Sequence, residues 1–243
     1  MVNGQSAEKD FAYILGLYFG DAYIKRVRVN TFEFKLQAID KDFVEHAASV
    51  LSRALGREIK VHTVNRKTSS GNEVYSIGCS DPYFKKILDD TLEGKVIPPY
   101  VYTWGKETKL EFLEAVMDSD GFISMRTNGF NYNFQCGYSV TYPWILDIKQ
   151  LFESVDIRTK KLITLTPKPP RIPFYRFTLV LKSLAQSGFK FHIKRKQDRL
   201  DKYKEKHFIN GEYTRFTHPI TKPNLKLYHQ KRRNSQRLHD KTE

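Results

Sequence analysis

The sequence has 243 residues, of which 41 are Lys or Arg and 27 are Asp or Glu, so the formal net charge is +14 at neutral pH. The hydrophobic content of 40%, with 14% aromatic residues, is sufficient for a core and excludes a disordered chain. No apolar run reaches the roughly 18 residues that a membrane span needs, and the positive charge predicts a polyanionic partner, most simply nucleic acid.

The first predicted helix contains a pattern that returns 99 residues later. In each copy, two small residues are four positions apart, an acid follows the second directly, and apolar residues surround them at helical spacing. The residues are Gly16, Gly20 and Asp21 within Ile14–Ala22, and Ala115, Ser119 and Asp120 within Leu113–Gly121. We interpret the two segments as matching parts of a duplicated half-domain.

The elements after Asp21 alternate between strands and helices. Polar and apolar residues alternate over Lys25–Ala38, which predicts a strand-like stretch, and an amphipathic helix follows at Asp42–Leu55 and ends at Gly56. His46 within this helix is interpreted as structural. Two strands and a short helix complete the half, at Arg57–Arg66, Glu73–Gly78 and Pro82–Leu92.

The second half repeats this order after the proline-containing connector Ile97–Tyr102. Its predicted elements are strands at Phe122–Arg126 and Asn131–Thr141, a helix at Trp144–Ser154, strands at Arg158–Thr166 and Phe174–Leu181, and helical residues from Ser183. The sequence therefore predicts an α+β fold in which each half has the order αββαββα.

The two acids occupy an unfavourable position unless a cation binds to them. Small residues at i and i+4 let two helices approach closely, so packing of the two motif helices would bring Asp21 and Asp120 together. Each carboxylate would lie at a helix C-terminus, where the dipole disfavours negative charge, and the two would repel each other. A divalent cation removes both penalties, and carboxylate and carbonyl oxygens suit Mg²⁺. One such motif alone would more often indicate helix packing only, whereas the repeat favours a metal site.

The two segments resemble the paired signature motifs of the LAGLIDADG homing endonucleases, with Asp21 and Asp120 at the catalytic acid positions. The resemblance extends from about Phe11 to Lys206 and includes the order of elements. Ala22 replaces the usual final glycine of the first motif, and Ala115 replaces the first glycine of the second. Both acids are kept, which favours a working nuclease.

The resemblance implies a pseudo-symmetric monomer in which two antiparallel sheets form a saddle over double-stranded DNA, with the motif helices at the interface. It implies an intron-encoded, site-specific endonuclease that hydrolyses both strands of a target of about 20 bp, leaves four-nucleotide 3′ overhangs and promotes intron mobility. A non-catalytic nucleic-acid binder stays open as the alternative, such as a maturase that assists splicing of intron RNA.

The resemblance also implies the residues of the cleavage site. Asp21 and Asp120 would bind Mg²⁺ together with the carbonyl groups of Gly20 and Ser119; Mn²⁺ would substitute, and Ca²⁺ would bind without supporting cleavage. The residues implied to support catalysis are Asp40, Lys106 and Lys194. Each of these lysines is also explained as a solvated basic residue.

The alternation within the strands selects the residues that would face DNA. With Phe32, Phe34 and Leu36 facing the helices, Glu33 and its neighbours on the same face would meet the groove, where Arg, Gln and Asn can bond to base edges and Lys to phosphates. An ordinary solvated sheet face would show the same pattern. The candidates are Lys35, Gln37, Lys60, His62, Arg66, Tyr75, Asn131, Asn133, Gln135, Arg158, Lys160, Arg176 and Thr178.

The net positive charge is distributed unevenly along the chain. Residues 1–186 carry 25 basic and 21 acidic side chains, whereas residues 187–243 carry 16 basic and 6 acidic ones, a net of +10. We expect two halves at 8–100 and 107–206 and a basic C-terminal extension at 207–243 that adds salt-sensitive affinity for phosphates. Cys79 and Cys136 form no disulfide framework and the N-terminal residues show no secretion signal, so we expect an intracellular protein, cytoplasmic or organellar.

Overall fold

The first half of the chain forms a four-stranded antiparallel sheet with helices before, within and after it. A computed structural model describes residues 4–92, 96–127, 132–140, 144–165, 174–209 and 211–213. The strand order of this sheet is β1-β2-β4-β3. The elements are α1 (Gly4–Phe19), β1 (Tyr23–Arg28), β2 (Thr31–Ala38), α2 (Lys41–Leu55), β3 (His62–Lys67), β4 (Glu73–Asp81) and α3 (Phe84–Asp90).

The second half repeats this arrangement after a short 3-10 helix at Pro99–Thr103. Its antiparallel sheet has the order β5-β6-β8-β7, which matches that of the first half. The elements are α4 (Lys106–Ser119), β5 (Gly121–Thr127), β6 (Tyr132–Val140), α5 (Ile145–Ser154), β7 (Ile163–Leu165), β8 (Phe174–Thr178), α6 (Leu181–Gln186) and α7 (Lys194–His207). The predicted α+β class and the duplicated order of elements are confirmed.

The chain divides into two units, residues 1–203 and residues 204–243. The first unit contains both halves with their motifs. The described part of the second unit contains a short antiparallel hairpin of β9 (Phe208–Ile209) and β10 (Glu212–Tyr213), in which the ring of Phe208 packs edge-on against that of Tyr213.

Three predicted elements differ from the structure. The stretch Lys25–Ala38 is a hairpin, because the chain turns at 29–30 and pairs Arg28 with Thr31. The strand predicted at Arg158–Thr166 is confined to β7, with one isolated bridge from Thr159 to Leu179. Helix α7 follows α6 as a separate element, because Gly188 adopts a positive φ of 86° shortly after α6 ends.

The first sheet packs its apolar face against the helices. Phe32, Phe34 and Leu36 of β2 are buried, and the ring of Phe34 stacks on Phe84 of α3. The predicted end of α2 at Gly56 is confirmed, since this glycine adopts the left-handed conformation and donates its N–H to Ser52. The opposite face of β2 carries polar side chains. Among the described helices, none is both long and apolar enough to cross a membrane.

Candidate active site and nucleic-acid interface

Helices α1 and α4 pack against each other through the small residues of the two motifs. A Cβ atom added at Gly16 would lie 2.7 Å from that of Ala115, and one added at Gly20 would overlap the side chain of Ser119. These positions therefore leave no space for larger side chains. The predicted contact between the small residues is confirmed.

This contact places Asp21 and Asp120 at the same end of the α1–α4 pair, since each acid directly follows a contact residue. Asp120 is the C-terminal cap of α4 and donates its N–H to Val116, while the side chain of Asp21 is exposed. Gly121 follows Asp120 at a point where a Cβ atom would lie 2.5 Å from the carbonyl oxygen of Met117. Only glycine fits there, and its lack of a Cβ atom allows the chain to turn from α4 into β5 directly after the acid.

The donor atoms at this end suit a hard divalent cation. Among the described residues, no three His, Cys, Asp or Glu side chains are arranged to hold a metal ion. A cation at this end would therefore take its protein ligands from Asp21, Asp120 and backbone carbonyl groups such as those of Gly20 and Ser119. An all-oxygen set of this kind, completed by water, fits Mg²⁺, Mn²⁺ or Ca²⁺.

A buried lysine that the sequence analysis did not select supports the second motif. Lys196 of α7 is 3% exposed, and its Nζ donates to the carbonyl oxygens of Met117 at 2.8 Å and Asp118 at 2.6 Å. Burial, with the nearby charge of Arg195, lowers the pKa of Lys196 below its ordinary value, and the negative charges of Asp118, Asp40 and Asp21 oppose this shift only in part. The ammonium group thus satisfies carbonyls that the end of α4 leaves without helical partners and opposes the negative end of its dipole.

His192, which precedes α7, and Arg199 of α7 also contact the segment around Asp120. The backbone N–H and ring Nδ1 of His192 lie 3.0 Å and 2.9 Å from the carboxylate of Asp118, and Arg199 donates to the carbonyl oxygen of Ile123. Together with Lys196, these contacts fix the backbone on both sides of Asp120 and Gly121.

A largely buried cluster of aromatic and ionisable side chains lies beside these contacts, with His46 and His192 partly exposed. The rings of His46 and His192 stack with centroids 3.7 Å apart, and Tyr13 packs edge-on against both. Burial lowers the pKa of His46 to about 3 and raises that of Glu114 to about 8. His46 thus joins α2 of the first half to the chain before α7, in agreement with a structural role.

Two of the three residues that the resemblance implied as catalytic supports, Asp40 and Lys194, lie near each other at the start of α7, whereas Lys106 lies elsewhere. Asp40 is paired by Arg195, whose Nε and second amino group reach its two oxygens at 2.6 Å and 2.7 Å. Lys194 is 80% exposed and pairs with Asp198 at 3.1 Å. Lys106 begins α4 and pairs with Asp156, about 20 Å from Asp120 along the 14-residue helix, so a role for Lys106 in cleavage does not fit its position.

Four of the predicted DNA contacts line one groove on the polar face of the first sheet. Lys35, Gln37, Lys60 and His62 share this groove of about 540 Å³ with Glu33 and Arg57. Arg66 reaches the same face, because it donates a hydrogen bond to Gln37 at 2.8 Å. These residues line one concave, strongly polar surface.

Tyr75 does not share this face. It pairs in register with Ala38 and Thr63, whereas the groove residues Gln37 and His62 pair with Ser76. Its hydroxyl donates to Glu73 at 2.7 Å. Alternation counted from the wrong residue of β4 explains the error, since a shift of one position moves a side chain to the other face.

The second sheet has a corresponding set of positions. Positions 133 and 135 of β6 lie on the face that carries Thr178 and Arg176, opposite the face of buried Ile123 and Phe177. The guanidinium of Arg176 lies over the ring of Phe122 at 5.2 Å, and the N–H of Lys160 bonds to the carbonyl of Thr178.

Two predicted contacts of the second half are not found on this face. Asn131 lies outside the described residues. Arg158 instead lines a pocket with Lys106 and Lys182 at the start of α4, far from Asp120.

A helix pair joined by small residues, with one acid ending each motif and a four-stranded sheet following it, defines a class of protein. This chain has the fold of the LAGLIDADG homing endonucleases, as comparison with solved structures establishes. I-WcaI bound to its DNA recognition sequence superposes with a TM-score of 0.53 at 15% identity, over 78% of this chain and 86% of that one.

A variant of I-DmoI in complex with nicked target DNA and manganese superposes with a TM-score of 0.52 at 14% identity, over 75% of this chain and 96% of that one. An uncharacterized protein of Methanocaldococcus jannaschii is 26% identical over 216 residues, which cover 82% of this chain and 73% of the relative. No family model matches the sequence.

Proposed function

We propose that this protein is a site-specific double-strand DNA endonuclease in which Asp21 and Asp120 each serve the cleavage of one strand. The observation that carries the proposal is the contact of Gly20 with Ser119, because it brings the residues just before both acids together at one end of α1 and α4. The polar groove of the first sheet and the matching positions of the second supply a surface for DNA on each side of this end.

The acids and the carbonyl groups of Gly20 and Ser119 would hold divalent cations. When bound, such ions lower the pKa of a water nucleophile and stabilise the 3′ leaving oxygen. Helices α1 and α4 hold Asp21 and Asp120 just after their C-terminal ends, so the two carboxylates have fixed positions. Lys196 acts as a positioning residue, because its hydrogen bonds to Met117 and Asp118 hold the turn that presents Asp120.

The structures to which this chain is similar support the same substrate. I-WcaI and I-DmoI are described in complex with their DNA targets, and manganese is present with I-DmoI. We extend their double-stranded DNA partner and divalent metal to this chain. From the resemblance to the same family, we also propose that the protein is a monomer, leaves four-nucleotide 3′ overhangs and promotes intron mobility. The basic C-terminal extension at 207–243 would add affinity for phosphates that falls with salt.

Selection from a random DNA library tests this function and identifies the target at the same time. The full chain first enriches duplexes by binding, and the enriched duplexes are then incubated with Mg²⁺ or Mn²⁺. We expect cleavage of both strands, whereas Asp21→Asn and Asp120→Asn should bind the same duplexes and each lose cleavage of at least one strand. Failure of the wild type to cut any enriched duplex would overturn the proposal.

Asp156→Asn is the matched control. Asp156 is an exposed acid with a positive φ of 67°, a conformation that Asn also adopts readily, and it lies beside Lys106 at the far end of α4. Its substitution should leave cleavage of both strands unchanged. A non-catalytic nucleic-acid binder predicts instead that the wild type and all three variants bind equally and cut nothing.

A further inference from the structure

Glu33 lies on the groove face of β2 between two lysines. One carboxylate oxygen is 2.8 Å from the Nζ of Lys25, and the other is 3.1 Å from the Nζ of Lys35. Lys25 is directly opposite Glu33 in the register of β1 and β2, and Lys35 is the next residue on the same face of β2. The two carboxylate oxygens of Glu33 are hydrogen-bond acceptors on the groove face, and the ammonium group of a lysine lies beside each of them.

The fold itself does not require a carboxylate at this position. The buried face of β2 consists of Phe32, Phe34 and Leu36, so Glu33 takes no part in core packing. The Glu33 side chain is 19% exposed, but its partners Lys25 and Lys35 are 52% and 38% exposed, and ion pairs to such solvated ammonium groups contribute little to stability. On a surface that binds DNA, a carboxylate also repels the phosphates and lowers affinity for every sequence. Recognition of a base is a role that requires an acceptor at this position.

We propose that Glu33 is a specificity-determining residue of the first half and accepts a hydrogen bond from the amino group of a cytosine in the major groove. This inference rests on the proposed function and assigns one base pair of its target. In a C·G pair the cytosine N4 donor lies beside the guanine O6 acceptor, because the two are bonded to each other. Glu33 meets N4, and the adjacent ammonium of Lys25 or Lys35 meets O6.

The other bases fit this arrangement less well. Guanine and thymine present only acceptors and a methyl group in the major groove, so they repel the carboxylate or leave it unpaired. Adenine offers the N6 donor but places the N7 acceptor beside it, opposite the second carboxylate oxygen. Hydrogen bonds from Lys25 and then Lys35 lower the pKa of Glu33, so both oxygens are acceptors at neutral pH.

Base preferences measured by selection test this assignment. The wild type, Glu33→Gln and Glu33→Ala, each as the full chain, enrich duplexes from one randomised library in the presence of Ca²⁺, and the bound pools are sequenced. The wild type should prefer C·G at one position. Glu33→Gln should change that position alone to A·T, because glutamine bonds to both N6 and N7 of adenine. Glu33→Ala should lower the preference there about fivefold or more.

Glu45→Gln provides the matched control. Glu45 pairs with Lys41 at 2.9 Å on the exposed side of α2, so the same charge is removed away from the groove. Its pool should equal that of the wild type. If Glu33→Gln and Glu33→Ala also enrich the wild-type sequences at every position, the assignment of Glu33 is wrong although the proposed function stands. If the wild type enriches no sequence, the proposed function fails, and the assignment fails with it.

Discussion

The ammonium group of Lys196 lies 2.6 Å from the carbonyl oxygen of Asp118, two residues before the acid that ends the second motif. A lysine 78 residues away in the chain thereby caps the helix that presents Asp120. The cap differs from a solvated basic residue, because Lys196 is almost completely buried and donates to two carbonyls.

Lys196→Met should slow cleavage of one DNA strand more than the other. The substitution keeps the length of the side chain but leaves the carbonyls of Met117 and Asp118 without their donor, at a cost of about 1–3 kcal/mol in stability. The turn before Asp120 would lose its support, so nicked DNA should accumulate. Gel analysis of a supercoiled plasmid carrying an enriched duplex measures nicked and linear products over time.

Lys202→Met is the control for this experiment, since Lys202 is an exposed lysine on the same helix α7. It should cut both strands at the wild-type rate. Equal slowing of both strands in Lys196→Met would indicate general destabilisation and contradict the positioning role.

Gly20→Ala should destabilise the protein by about 1–3 kcal/mol, because the new methyl group would overlap the side chain of Ser119. Combining it with Ser119→Gly should restore most of the free energy of unfolding, since the second substitution removes the overlapping atoms. Urea denaturation of the single and double variants measures this coupling.

Gly4→Ala serves as the comparison, because Gly4 begins α1 and a Cβ atom there meets nothing within 4 Å. Its free energy of unfolding should stay within about 0.5 kcal/mol of the wild type. A double variant no more stable than Gly20→Ala would show that the two residues do not make the decisive contact.

Glu114 should make the protein less stable as the pH rises. Burial raises the pKa of its carboxyl to about 8 from an ordinary value of 4.5. Between these values the folded state retains a proton that the unfolded state releases, so the free energy of unfolding falls by up to about 1.4 kcal/mol per pH unit. Glu114→Gln should remove this contribution in denaturation curves from pH 5 to 9. The exposed Glu107→Gln should retain it, and an unchanged slope in Glu114→Gln would refute the assignment.

His46 should make the protein less stable as the pH falls. Burial lowers the pKa of its imidazole to about 3 from an ordinary value of 6.5. Between these values the unfolded state binds a proton that the folded state excludes, so stability is lost as the pH falls through this window. His46→Phe keeps an aromatic ring against His192 and should reduce the loss, as thermal unfolding between pH 4 and 7 would measure. The exposed His62→Phe should leave this loss of stability unchanged. Equal curves of melting temperature against pH for the two variants would contradict the assignment to His46.

Local patterns were sufficient to predict much of the fold and the centre of the site. Alternation identified the buried face of β2, and helical spacing identified the small residues of α1 and α4, because these periods depend only on backbone geometry. The same reasoning failed for Tyr75, whose face depends on the pairing of β4 with β2.

Polar side chains that act over long sequence distances were not predictable in this way. Lys194 and Lys196 are the same residue type and lie two positions apart, yet Lys194 is exposed and Lys196 is buried against α4. Asp40 fits a catalytic support by its position in the chain, but Arg195 binds both of its oxygens. Helical phase and the packing of α7 against α4 decide these roles.

The sequence by itself determined that this protein has two matching halves, each with an acid at the end of a close-packing helix, and that its net charge suits a polyanion. These features follow from residue type and spacing, which are local. Only the tertiary structure decided that Lys196 supports the turn before Asp120, that Arg195 pairs with Asp40, and that Lys25 of β1 lies opposite Glu33 and pairs with it. Such contacts depend on how helices and strands pack, and spacing along the chain does not specify that packing.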